Sequence, residues 1–288
     1  MKRNLIWISM IALFLITSCS LINGLGFQTI RGSGEIITES RNVSNFDRVE
    51  VCCGMELYLT QNGTETLQIE ADDNILPEIE TRVVDQKLEI LYLDNNSINY
   101  QPTQPVRIYL TTTDIQAVSI SGGGILDVES ISSNSFELEL SGGSNADIDR
   151  LEADSIHVNV SGGGDFQSNF INTGAIDLEL SGASDAWIDD ISTNNIVVNC
   201  SGGGKVEIIG SAESSEIEMS GGGDFNAKDL QINTLVIHIS GGGSATVWVV
   251  DRLDVNLSGG SSLAYYGQPE ITHQDSSGGS SIDSLGPH

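Results

Sequence analysis

The feature that most constrains this chain is a short glycine-rich motif that recurs about every 20 residues. Ser-Gly-Gly, or Ser-Gly-Ala in one copy, begins at Ser121, Ser141, Ser161, Ser181, Ser201, Ser220, Ser240, Ser258 and Ser277. A nearly fixed period over nine copies is typical of a solenoid, in which each repeat packs only on its neighbours. It does not fit a globular domain with one closed core.

The residues around each motif alternate between apolar and polar. With the serine as position zero, apolar residues stand at −5, −3 and −1, as in Ile176, Leu178 and Leu180, and again at +5, +7 and +10. Alternation of this kind predicts strands with one buried face. The sequence therefore predicts an all-β, right-handed parallel β-helix of about nine regular coils, with its handedness taken from the usual rule for parallel crossovers.

The first part of the chain is less regular. We interpret residues 34–120 as irregular N-terminal β coils with a cap, and residues 121–285 as the regular repeats. Cys52-Cys53-Gly54 occupies the place of a Ser-Gly-Gly corner, with Val51 and Leu57 at inward positions. Asn62-Gly63 is a turn signal and predicts a short hairpin between the strands on either side.

The N-terminus has the features of a targeting segment. Lys2-Arg3 precede an apolar stretch from Leu5 to Ile16 that is too short for a membrane span, and Ile16-Thr17-Ser18-Cys19 resembles a bacterial lipobox. We therefore expect a lipoprotein signal peptide at residues 1–18, lipidation of Cys19 and a lipid-anchored tether at 19–33. The predicted location is the cell envelope, at the outer membrane or cell surface, and the alternative is an ordinary secretory signal with a chance cysteine.

Several phrases of the sequence resemble one known family. They are Gly32-Ser33-Gly34, Phe46-Asp47-Arg48-Val49-Glu50-Val51, Val106-Arg107-Ile108-Tyr109-Leu110 and the Ser-Gly-Gly-Gly corners. Over roughly residues 34–270 the chain resembles the putative auto-transporter adhesin, head GIN domain family. The resemblance implies a bacterial envelope protein of β-helix type, commonly a lipoprotein, and it carries no catalytic motif. Cys52-Cys53 departs from the small residues usual in the family.

The net charge of −28 argues against nucleic-acid binding and suits a soluble, monomeric surface. Cys52 and Cys53 form a possible disulfide in an oxidising compartment, with free thiols as the alternative. Cys200 holds an inward position and is interpreted as a core residue. His157 and His238 face outward but lie four coils apart, roughly 19 Å, too far to share a metal. No cofactor is expected.

Carboxylates supply the weak candidate site. Asp165, Asp185 and Asp224 occupy position +4 of neighbouring coils, where they could bind a cation or a glycan. Stacked acids could also cleave a polysaccharide, while Lys205 in the same row favours a solvated charge ladder. Acidic pairs at −4 and −2 could hold Ca²⁺, namely Glu137-Glu139, Asp177-Glu179 and Glu216-Glu218.

The predicted function is that of a non-catalytic envelope lipoprotein that binds an extracellular glycan or protein, as an adhesin would. Nucleophile–base pairs, phosphate loops and zinc spacings are absent from the sequence. The alternatives are a polysaccharide-binding or polysaccharide-cleaving protein that uses the stacked acids, or a purely structural envelope component.

Overall fold

The structure, a computed structural model, describes residues 28–94 and 97–288. The predicted signal peptide, Cys19 and most of the predicted tether lie outside these residues. Within them the chain is nearly all β, with one turn of 3-10 helix at Leu76–Glu78. None of their helices has the length and apolar character needed to cross a bilayer.

The strands divide into short ones near the two ends and long ones between them. The short N-terminal strands are β1 (Gln28–Arg31), β2 (Ile36–Arg41), β3 (Arg48–Val51), β4 (Glu56–Gln61), β5 (Thr66–Asp72), β6 (Ile79–Val84), β7 (Lys87–Tyr92), β8 (Ile98–Gln101), β9 (Arg107–Thr112) and β10 (Ala117–Ser121). The long strands are β11 (Ile125–Ser141), β12 (Asn145–Gly162), β13 (Asp165–Gly182), β14 (Asp185–Gly202), β15 (Lys205–Gly221), β16 (Asp224–Gly241) and β17 (Ser244–Gly259). The chain ends in β18 (Ser262–Tyr266), β19 (Glu270–Ser276) and β20 (Ser281–Gly286).

Each long strand is one coil of the predicted solenoid. Neighbouring coils pair in parallel with an offset of 20 residues, so that Val158, Leu178 and Val198 lie in one row. The fold is a parallel β-solenoid of about eight turns with about 20 residues per coil. The prediction of an all-β solenoid is confirmed, although nine turns was slightly too many.

The core runs along the axis of the solenoid. The inward rows predicted at −5, −3, −1, +5, +7 and +10 are buried almost throughout, and Leu178, Val198 and Ile237 have no exposed surface. One exception is Ser215, which stands at −5 between Ile196 and Leu235 and is only 3% exposed. Each coil therefore buries its apolar face mainly against its two neighbours, as solenoid repeats do.

The glycine of the Ser-Gly-Gly corner is required by both conformation and space. Gly182 has a φ of +85°, which is unfavourable for residues with a side chain, and a Cβ there would lie 2.5 Å from the carbonyl oxygen of Gly162 in the coil below. Corners can stack directly only because this atom is missing.

The N-terminal strands do not follow chain order along the axis. β3 lies between β7 and β10, and β4 lies between β9 and β11. The coil formed by β3 and β4 is therefore covered on its outer side by strands that come later in the sequence. Cys52-Cys53-Gly54 forms the corner of that coil, in the place of a Ser-Gly-Gly motif.

The prediction of a hairpin at Asn62-Gly63 is wrong. Gly63 does adopt a positive φ of 82°, but β9 inserts between the two flanking strands, running parallel to β4 and antiparallel to β5. A true two-residue hairpin instead joins β6 and β7 through Asp85 and Gln86, both with positive φ. Positive φ at both loop residues is the geometry that tight hairpins favour.

The predicted tether extends too far into the chain, because residues from 28 onward belong to the folded body. β1 pairs in parallel with β8 in a separate two-stranded sheet. Asp72, which is fully buried, accepts hydrogen bonds from the amide of Gly34, the amide of Thr103 and the hydroxyl of Thr103 at 2.7–2.8 Å. Through these hydrogen bonds the carboxylate connects the beginning of the described chain to the rest of the cap.

The C-terminal end is built differently. β19 pairs in parallel with β17, and β20 pairs with β18, so the last turn follows the direction of the coils before it. All seven residues of β19 are exposed. The solenoid thus ends in polar, exposed edge strands.

Candidate functional site

The predicted acidic row at +4 lies on the outer side of the solenoid, just after the corners. Asp165 on β13 stands opposite Asp185 on β14. Burial raises the pKa of Asp165 above its usual value, and the neighbouring charge of Asp185 raises it further. A carboxyl with a raised pKa beside a second acid is the arrangement that acid catalysis would need.

Hydrogen bonds give these acids a structural role. Oδ1 of Asp185 accepts the backbone amide of Lys205 at 2.5 Å, and Oδ1 of Asp224 accepts the hydroxyl of Ser244 at 2.7 Å. Oδ1 of Asn145 accepts the backbone amide of Asp165 at 3.0 Å. The +4 row therefore connects successive coils, and binding of a cation or a glycan there stays a prediction.

The cysteines occupy two different environments. Cys52 and Cys53 are joined by a disulfide with their sulfurs 2.15 Å apart, at the corner of the first coil. Cys200 is half-buried at its inward position, and burial raises the pKa of its thiol to about 11. Its thiol is therefore protonated at neutral pH, which is unsuited to a nucleophile.

One large concave surface was not anticipated from the sequence. An open groove of about 710 Å³ runs along the corner at positions +11 to +13, across six successive coils. We call it the polar groove; its row at +11 consists of Ser132, Glu152, Asn172, Ser192, Ser211 and Gln231. Five steps at strand spacing make this row roughly 24 Å long.

The chemistry of the polar groove is uniform. Most of its lining side chains are small and carry a hydroxyl, an amide or a carboxylate, and the carboxylates are Glu152, Asp154 and Glu213. The hydroxyls of Thr173 and Thr193 each donate to the backbone carbonyl two residues later in the same strand, at 3.0 and 3.2 Å. Asn172, Ser192 and Ser211 are exposed. The recurrence of small polar residues after position +10 was the sequence signal for this groove.

One end of the polar groove is closed by a side chain from the cap. The amide of Gln61 donates to the carbonyl of Ser132 at 2.9 Å, and its oxygen accepts the amide of Ser132 at 2.8 Å. Gln61 thus replaces the strand partner that β11 lacks at this corner. The groove begins at a defined position and continues towards the C-terminal coils.

Comparison with known proteins identifies one matching family model. The model described as putative auto-transporter adhesin, head GIN domain matches twice, over residues 45–169 and 158–269. No curated protein shows significant similarity to the chain.

Three solved structures have a similar fold. A putative adhesin from Parabacteroides distasonis has a TM-score of 0.67 at 18% identity, and a putative lipid binding protein from the same species has 0.65 at 20%. A putative adhesin from Parabacteroides merdae has 0.65 at 16%. Each match covers 90% of this chain and 99–100% of the other. At these identities the likeness concerns the fold alone.

Proposed function

The chain belongs to the putative auto-transporter adhesin, head GIN domain family, and from that premise we propose that it is a non-catalytic interaction module of the cell envelope. In this proposal the polar groove binds an extracellular glycan. The family name and the adhesin-like neighbours are consistent with a surface or envelope protein. The polar groove is what supports a glycan as the ligand.

The observation that carries this proposal is the repetition of polar groups at a constant spacing. Each coil adds one hydroxyl, amide or carboxylate to the row at +11, at about 4.8 Å intervals. A ligand that is itself a repeating chain of hydroxyl groups can meet such a row at several points. Individually weak contacts then add up, provided that the ligand engages several coils at once.

The negative charge of the groove restricts the class of glycan that it can bind. The groove contains three carboxylates and no lysine or arginine among its lining residues, and the whole chain carries a net charge of −28. Sulfated or uronate-rich polysaccharides would be repelled by this surface. We therefore expect a neutral or amino-substituted glycan.

Glycan-array binding of the purified chain tests the groove. Ser192→Tyr places a large side chain at the centre of the row and should reduce binding at least tenfold. Gln167→Tyr is the matched control, since Gln167 is also exposed but lies on a different face. Absence of binding to neutral and amino glycans would favour the structural alternative, and equal loss in both variants would remove the groove from the proposal.

The enzymatic alternative has its own test. Assays of polysaccharide cleavage should show no activity above background with wild-type protein. Cleavage that disappears in Asp185→Asn would overturn the non-catalytic proposal and assign the reaction to the +4 row.

The anchoring of the module forms a second part of the proposal. We infer that Cys19 is the lipidated first residue after removal of residues 1–18, because it ends a lipobox-like tetrapeptide after a suitable apolar segment. Two or more acyl chains are enough for stable membrane attachment. Because the folded body begins by residue 28, the tether would be short.

Labelling with palmitate and membrane fractionation test the anchor. Wild-type protein should incorporate label and sediment with the outer membrane. Cys19→Ala should incorporate no label and should be either an uncleaved precursor or a soluble protein. Cys200→Ala is the matched control and should behave like wild type. Unlabelled wild-type protein would contradict lipidation.

A further inference from the structure

We propose that His157, Asp177 and Glu179 form a binding site for one divalent transition-metal ion of the zinc class on the outer face of the solenoid. This site lies outside the polar groove, and its existence does not depend on the ligand of that groove. It differs from the Ca²⁺ sites considered from the sequence because a histidine of the preceding coil joins the acidic pair.

The strand register brings the three side chains together. His157 on β12 stands directly opposite Asp177 on β13, and Glu179 follows two residues later on the same face. Nδ1 of His157 lies 3.5 Å from Oδ2 of Asp177. One ligand atom from each of the three residues falls within 4.8 Å of the others.

These separations are close to those of a metal site. Zinc binds nitrogen and oxygen at about 2.0–2.2 Å in tetrahedral geometry, which places ligand atoms about 3.4 Å apart. The histidine–aspartate pair already meets this separation. The ligand atom of Glu179, at the end of a flexible side chain, lies within 4.8 Å of the other two and would complete three ligands.

A second observation points to a missing partner. Oδ1 of Asp177 is buried and has no hydrogen-bond partner among the described residues, although the rest of the side chain is partly exposed. A buried carboxylate oxygen without a partner is costly. A dication bound to this carboxylate would supply the partner that Oδ1 lacks.

The donor set selects the type of metal. An imidazole with two carboxylates suits zinc and neighbouring transition metals, whereas Ca²⁺ and Mg²⁺ favour oxygen ligands alone. The side chains of His157 and Asp177 are 36% and 42% exposed, so solvent can reach the remaining coordination position. Glu137, opposite His157 on the other side, adds negative charge nearby.

Another outward histidine of the same face, His238, provides an internal comparison. His238 stands opposite Glu218 on one side and Asn256 on the other. In the described part of the chain, the ligand atoms of His157, Asp177 and Glu179 are the ones that converge as a trio. His238 is therefore a matched control with the same residue type and similar exposure.

The test is titration of the purified full-length chain with Zn²⁺, after chelator treatment, by calorimetry and equilibrium dialysis. Wild-type protein should bind one Zn²⁺, and His157→Gln, Asp177→Asn and Glu179→Gln should each weaken binding by about tenfold or more. His238→Gln should bind like wild type. Circular dichroism of the metal-free variants checks that each is folded. If His157→Gln does not fold, Asp177→Asn and Glu179→Gln still test the site.

Three outcomes would overturn the proposal. The first is absence of saturable Zn²⁺ binding by wild-type protein. The second is an equal loss of binding in His238→Gln, which would indicate diffuse attraction to an acidic surface. The third is displacement of bound Zn²⁺ by millimolar Ca²⁺, which would assign the site to oxygen-preferring cations. A Co²⁺-substituted protein with visible absorption bands that disappear in His157→Gln would support ligation by the imidazole.

Discussion

The regular coils and the N-terminal cap are built from similar strands but are held together in different ways. In β11–β17 every strand pairs with its neighbour in sequence, in parallel and at a nearly constant offset. In the cap, β7 and β9 return to cover β3 and β4, and β2, β5 and β6 run antiparallel to their partners. Repetition therefore specifies the middle of the molecule, and long-range pairing specifies its beginning.

A charge in the core of the regular coils should have the largest effect. Leu178→Asp buries an unpaired carboxylate at a position with no exposed surface, between Val158 and Val198. Because coils depend on their neighbours, we expect several coils to unfold together while the cap keeps its structure. Hydrogen exchange resolved by segment measures this. Protection that is unchanged in the coils would contradict the inward assignment.

A methyl group at the stacked corner should have the next largest effect. A Cβ on Gly204 would lie 1.8 Å from the carbonyl oxygen of Ser184, whereas a Cβ on the adjacent Gly203 would meet nothing within 4 Å. Gly204→Ala should lower the free energy of unfolding by about 3 kcal/mol, and Gly203→Ala should change it by less than about 0.5 kcal/mol. Urea denaturation of the two variants measures the difference. Equal effects would show that corner stacking does not limit the side chain.

Loss of the buried carboxylate should loosen the cap alone. Burial by itself would raise the pKa of Asp72, but hydrogen bonds from Thr103 and Gly34 outweigh it and hold the pKa below its usual value. The resulting stabilisation is complete above about pH 4, where an unfolded aspartate is ionised, and is lost as the pH falls towards the lower folded pKa.

Hydrogen exchange measures this opening. At pH 7, Asp72→Asn should accelerate exchange of residues 28–34 and leave the coils unchanged, and acidification of wild-type protein below pH 4 should do the same. Asp251→Asn, on an exposed part of a regular coil, is the control. Faster exchange throughout the molecule would mean that cap and coils unfold as one unit.

A stabilising substitution should give the smallest effect. The hydroxyl of Ser215 is buried and lacks a hydrogen-bond partner among the described residues, in a row whose neighbours are Ile196 and Leu235. Ser215→Val removes the unpaired group and adds apolar contact, which should raise the free energy of unfolding by about 1 kcal/mol. Ser211→Val, on the exposed side, should leave it unchanged. A loss of stability in Ser215→Val would indicate that this coil has no room for the methyl groups.

The sequence predicted the structure well wherever residues that are in contact are separated by one repeat along the chain. The inward rows followed from alternation, and the corner at Cys52-Cys53-Gly54 followed from its match to the template. Asn62-Gly63 formed a turn as predicted, but no local signal showed that β9, some 50 residues later, would separate its flanking strands. The pairing of β1 with β8 spans 70 residues and was equally hidden.

In the candidate sites, too, the sequence predicted what repeats and missed what does not. The +4 acids were found because their position repeats, yet their hydrogen bonds to the next coil depend on side-chain orientation that spacing does not specify. The His157 cluster was missed because histidines were compared only with each other. Comparison of each histidine with the acids one repeat later would have paired His157 with Asp177.

The parallel, sequential stacking of the coils has a consequence for how such a protein can change over generations. An in-frame duplication or deletion of one 20-residue unit alters the length of the molecule but leaves each remaining junction of the same kind. The interleaved N-terminal end forbids such events, because β3 and β4 are enclosed by strands from elsewhere in the chain. Length variation among descendants should therefore occur in the regular coils. The number of coils that line the polar groove would then vary with it.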